Sequence, residues 1–226
     1  MACSHCCYSC NKREGENMSF SLFREILNRW GYGISEEHRY WIVLGGGEPT
    51  VHPDFWKMLT YSMTFGHPWL ATNGSITEDA LSLARLASKG IISAVLSVDQ
   101  WHEKIDEKVI NAFKDGLEKK TGIWEQWDSL NEFDKRTIRT ITVPHRVGSS
   151  KEGKDECVCS VRIITPNGII KGCACPDSPI VGTVQDGFKD EYNEIPWFNS
   201  CHKDWDFNKE RNKWFIGKKR ETECLS

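Results

Sequence analysis

Nowhere in the 226 residues is there a run of roughly 18 apolar residues, the length a membrane-crossing helix needs. The opening stretch, MACSHCCYSC, also lacks the charged and apolar sections of a secretory signal. These two absences lead to the expectation of a soluble, cytoplasmic protein. A basic excess is missing as well: 29 Lys and Arg stand against 32 Asp and Glu, for a formal net charge of −3. With no general positive field, a nucleic-acid partner would need a local patch and is not expected. Cysteine, finally, is absent from the whole of residues 11–156. Eight of the ten cysteines are crowded into two islands, residues 3–10 and 157–175, with Cys201 and Cys224 trailing. In a reducing compartment such clusters read first as metal or cluster ligands rather than as disulfides.

The cysteine-free middle carries an alternating pattern. Residues 19–33, with Phe20, Phe23, Ile26 and Leu27 at helical spacing, predict a helix that stops at glycine. Residues 40–47, YWIVLGGG, form a short apolar run closed by glycines and predict a buried strand. The order then repeats, with helix over 52–65, strand over 67–74, helix over 77–90, strand over 92–100 and helix over 103–120. Strands alternating with helices of this length imply βα units around a parallel sheet. The glycine-rich breaks fall after the strands, at the carboxyl ends where parallel α/β sheets hold their ligands.

Beyond TIRTITVPHR the segment GSSKEGKDE is a polar connector, so a boundary is expected near residue 148. It divides the chain into residues 1–148 and a small cysteine-rich region, 149–226. In the latter, residues 157–188 predict two short strands around a Pro166-Asn167-Gly168 turn and then a third strand. Such a hairpin brings Cys157 and Cys159 next to Cys173 and Cys175, four thiols suited to zinc or to an iron–sulfur cluster.

In the first island Cys3, Cys7 and Cys10 have the spacing C-x-x-x-C-x-x-C. Three thiolates on one loop can wrap a corner of a [4Fe–4S] cluster and leave the fourth iron open to a cofactor. The same octet also contains C-x-x-C, which suits zinc, and Cys6 competes with Cys7 as the middle ligand.

The island is followed in order by Gly45-Gly46-Gly47-Glu48-Pro49, Ala71-Thr72-Asn73-Gly74 and Leu96-Ser97-Val98-Asp99. Four separated motifs in this order, over residues 3–147, resemble the radical S-adenosylmethionine (radical SAM) superfamily. The resemblance implies an α/β fold with a partial parallel βα barrel. It also implies reductive cleavage of S-adenosylmethionine at the cluster to a 5′-deoxyadenosyl radical that abstracts hydrogen from a substrate. By the same likeness, Gly46, Gly47 and Glu48 would hold the methionine amino group, while Asn73, Ser97 and Asp99 would serve the ribose hydroxyls and the carboxylate. A small-molecule or peptide substrate is implied, with a reductant such as flavodoxin or ferredoxin.

Residues 167–184 resemble the start of the short auxiliary-cluster (SPASM/twitch-like) extensions behind many such barrels, which makes a second iron–sulfur cluster an expectation. Two departures stand out. Only Met1 and Ala2 precede Cys3, where family members usually have a strand, and Ser9 stands where an aromatic residue is common, with Tyr8 one position early. Trp101, His102 and His145 are further candidates near the expected pocket, although a helix-capping or solvated role suits His102 as well. Two alternatives are a radical SAM enzyme acting on a nucleoside or RNA, and a non-catalytic zinc or iron–sulfur module.

Overall fold

The computed structural model describes residues 15–30, 41–99, 102–120, 125–129, 131–140, 162–172 and 178–189. Helix α1 (Phe20–Trp30) buries Phe23 and Leu27, one turn apart, against Met58 of α2 (Phe55–Ser62). The expected alternation then runs through β1 (Trp41–Leu44), α2, β2 (His67–Thr72), α3 (Thr77–Ser88), β3 (Ser93–Ser97) and α4 (Glu107–Lys114). Strands β1, β2 and β3 are parallel neighbours, and β6 (Arg136–Thr140) joins parallel to β3. At the centre of this group β3 is buried at all five positions, which is why SAVLS shows no polar alternation. One face of the sheet, with Leu70, Ala94, Leu96 and Ile138, packs against Leu83 and Ala87 of α3 and Val109 and Phe113 of α4.

Two expectations fail. Strand β1 is not buried: it ends the sheet order and exposes Trp41 and Val43 on one face, so its apolar run does not mark a covered central strand. Residues 103–120 are not a single helix: α4 stops at Lys114, and Leu117–Lys120 form strand β4. Strand β4 pairs antiparallel with β5 (Glu125–Ser129), which is itself antiparallel to β6. The sheet is therefore mixed, in the order β1-β2-β3-β6-β5-β4. Asp115-Gly116 breaks the helix, and Arg136 seals its end by donating from Nη1 to the Ala112 carbonyl at 2.6 Å and from Nη2 to the Asp115 carbonyl at 2.8 Å. Asp134 fixes the guanidinium fork, accepting from Nε at 3.0 Å and Nη2 at 2.5 Å. Hydrogen bonding to Asp134 raises the Arg136 pKa despite burial.

A second sheet follows the first in sequence. Strands β7 (Ile163–Ile164) and β8 (Ile169–Lys171) form the expected hairpin about Pro166-Asn167-Gly168, and β9 (Ile180–Thr183) and β10 (Gly187–Phe188) complete a four-stranded antiparallel order. It packs on the end of α1. Arg29 donates to the carbonyls of Val184 and Gln185, the latter at 2.9 Å, and the Trp30 and Phe188 ring centroids lie 6.2 Å apart. The buried Arg162 guanidinium lies 4.8 Å from the centre of the Phe188 ring. Burial lowers the Arg162 pKa to about 10, which leaves it charged at neutral pH for this cation–π contact. No helix among the described residues is long and apolar enough to cross a membrane.

Candidate functional site

The carboxyl ends of β1, β2 and β3 carry Gly46, Gly47 and Glu48, then Asn73, then Ser97 and Asp99. Because the strands are parallel neighbours, their ends form one polar edge. Gly46 opens it: its φ of +122° belongs to the left-handed side, which a side chain would strain, and among the described residues no atom beyond its chain neighbours lies within 4 Å of where a Cβ would stand.

Glu48 is the most highly connected group of the edge. Its Oε1 accepts from the Thr50 backbone N–H at 3.2 Å, from the Thr50 hydroxyl at 2.7 Å and from the Thr72 hydroxyl at 2.9 Å. Its Oε2 accepts from the Asn73 backbone N–H at 2.7 Å. The carboxylate thus caps the 3-10 turn Pro49–Val51 and ties the end of β1 to the end of β2. Asn73 is buried, and its Oδ1 accepts from the Ser75 N–H at 2.9 Å in an Asx turn. The following Gly74 has φ +69°, and a Cβ there would lie 3.0 Å from Ile105 and 3.1 Å from Leu96. Only glycine lets the β2 end lie this close to β3 and the start of α4.

Ser97 is buried at the end of β3, in register with Arg139 on β6, whose Nε donates to the Ser97 hydroxyl at 3.3 Å. Two residues on, the side chain of Asp99 is fully buried, with His102 Nδ1 2.8 Å from its Oδ1. A buried carboxylate needs such a partner, and this one makes Asp99 and His102 a unit. The structure therefore brings Glu48, Asn73, Ser97 and Asp99 to one edge and adds Thr50, Thr72, His102 and Arg139 around them.

Thr72 falls within the Ala71-Thr72-Asn73-Gly74 motif without being singled out there as a site residue, and Thr50 and Arg139 lie outside the motifs. Arg139 was within reach all the same: strand alternation in RTIRT, once β6 is paired with β3, puts it beside Ser97. Cys3, Cys7, Cys10, Cys157, Cys159, Cys173 and Cys175 lie outside the described residues, as do Cys6, Tyr8, Ser9, Trp101, His145, Cys201 and Cys224. Among the described residues no group of three or more His, Cys, Asp or Glu is placed to hold a metal ion.

No protein-family model matches the chain. Among curated proteins it is similar to mycofactocin maturase MftC of Mycobacterium ulcerans, with 30% identity over 114 residues, 50% of this chain and 29% of that protein. The corresponding maturase of Mycobacterium tuberculosis (strain H37Rv) is 30% identical over 112 residues, 48% of this chain and 27% of that protein. These similarities, set beside the cysteine island and the three ordered strand-end motifs, agree with the radical SAM resemblance of the sequence.

The chain spans under a third of the length of these relatives. Among solved structures, the crystal structure of BtrN in complex with AdoMet and 2-DOIA matches with a TM-score of 0.50 at 16% identity, over 86% of this chain and 80% of BtrN. That likeness is one of fold.

Proposed function

We propose that the chain cleaves S-adenosylmethionine reductively at a [4Fe–4S] cluster held by Cys3, Cys7 and Cys10, and that it does so in a partial parallel βα barrel spanning residues 1–148. The observation that carries this reading is the convergence of a carboxylate, an amide, a buried hydroxyl and a guanidinium on one edge beside the Gly46 backbone. This set fits the zwitterionic cofactor. Glu48 Oε2 would accept from the ammonium, Ser97 and Arg139 would offer donors to the carboxylate, and Asn73 and Asp99 would suit ribose hydroxyls. Gly46 and Gly47 leave room for close backbone approach. When bound, the cluster and S-adenosylmethionine together supply a 5′-deoxyadenosyl radical for hydrogen abstraction. The protein's own residues bind, orient and exclude water.

Residues 149–226 fit an auxiliary-cluster extension in this reading. The β7–β8 hairpin supports it, because Cys157 and Cys159 precede the first strand and Cys173 and Cys175 follow the second. A second iron–sulfur cluster there would take these four thiols, or some of them with Cys201. The maturase name of the relatives supports a peptide or protein side chain, or a small molecule, as substrate. A flavodoxin or ferredoxin would supply the electron in a cytoplasmic setting.

The test is electron paramagnetic resonance of the anaerobically reconstituted, dithionite-reduced full chain, with and without S-adenosylmethionine. A reduced-cluster signal whose shape changes when the cofactor is added is expected, and its absence from Cys7→Ala locates the cluster. Colourless protein that retains stoichiometric zinc would instead establish the metal-binding module.

A further inference from the structure

Thr72 occupies an unusual position for a residue of the polar edge. It is 2% exposed and shares its register with Leu96, whose side chain lies in the helix-packed core. From there its hydroxyl does two things at once. It donates to Glu48 Oε1 at 2.9 Å and accepts from the Gly74 backbone N–H at 3.0 Å. Thr50, also buried, adds two donors to the same Glu48 oxygen. A carboxylate has about four acceptor positions, two on each oxygen. With three donors on Oε1, the remaining acceptor capacity lies on Oε2, beside the Asn73 N–H.

We propose that Thr72, supported by Thr50, is a positioning residue that locks the Glu48 carboxylate so that only Oε2 is presented to the cofactor's ammonium. The inference rests on the cofactor reading above and deepens it. Thr72 touches no ligand itself; it acts through Glu48. Its hydroxyl also couples the two strand ends: the rotamer that satisfies Glu48 is the one that receives the Gly74 N–H, so the Asn73-Gly74 turn and the carboxylate are set together.

The experiment compares wild type, Thr72→Val and Thr72→Ser as full chains reconstituted with iron and sulfide. S-adenosylmethionine affinity is read by equilibrium dialysis, and the KM for S-adenosylmethionine and kcat are read from 5′-deoxyadenosine release. Thr72→Val, which keeps the shape and removes the hydroxyl, is expected to weaken binding about tenfold or more and to raise KM in parallel. Thr72→Ser restores affinity to within about twofold, because the hydroxyl is what matters.

Should Thr72→Val fold poorly, Thr50→Ala removes the 2.7 Å hydroxyl bond from the short 3-10 turn and is expected to weaken binding in the same direction. In a Glu48→Gln background Thr72→Val has little further effect, since both act through one group. Wild type that binds while Thr72→Val binds equally well, with only its melting temperature lowered, overturns this inference alone. Wild type that binds no S-adenosylmethionine overturns the cofactor reading and this inference with it.

Discussion

Glu48 is a structural brace, and in the proposed function it would also be a ligand for the cofactor. Four donors converge on it from the 3-10 turn and the end of β2, so Glu48→Ala strands partly buried N–H and O–H groups as well as losing a cofactor contact. Its expected cost is about 1–3 kcal/mol of stability, visible as a lower melting temperature of the metal-free chain. A melting temperature equal to that of wild type would show that the brace is weak. Gly74→Ala is expected to cost a similar amount, about 1–3 kcal/mol, because φ +69° disfavours a side chain and the new Cβ would press on Ile105 and Leu96. Thermal unfolding of that variant checks the point, and Asn73 would be displaced with it. Of the residues along this edge, those with a motif signature were legible: Gly46, Gly47, Glu48, Asn73, Ser97 and Asp99 all fall at strand ends. Thr50 and the contact of Thr72 with Glu48 were not, because they come from turn geometry, and Arg139 was reachable only once β6 is paired with β3.

At the level of elements, the βα alternation through β3 was readable because buried strands and amphipathic helices differ sharply in period here. Residues 103–120 were misread as one helix because Leu117, which is buried, continues the apolar spacing set by Val109 and Phe113. The break at Asp115-Gly116 outweighs that spacing, and what stabilises it is distant: Arg136, about twenty residues on, caps α4 and fixes the start of β6 together. Arg136→Met is therefore expected to destabilise the protein by about 1–3 kcal/mol, and Arg136→Lys to rescue it poorly, since an ammonium cannot match the two-pronged contact with Asp134. Chemical denaturation of the three proteins measures this, and full rescue by lysine would show that charge alone suffices. The antiparallel β4–β5 pair had no sequence signal because its register is set only against β6.

For the molecule as a whole, the two sheets meet through α1, where Arg29 and Trp30 reach the β9–β10 turn and Phe188. Helix α1 thus packs on α2 of the first layer through Phe23 and Leu27 and on the second sheet through its last turn. The βα alternation from β1 to α4 was legible in the sequence, whereas the reaction class was not, because substrate specificity belongs to surfaces that motifs do not describe. The most direct measurement is 5′-deoxyadenosine release by the anaerobically reconstituted, dithionite-reduced chain, with iron counted in the same samples. Wild type is expected to release it while Cys7→Ala does not, with about eight irons per wild-type chain if both cysteine islands hold cubane clusters and about four if only the first does. A fully iron-loaded wild type that leaves S-adenosylmethionine intact would contradict the account.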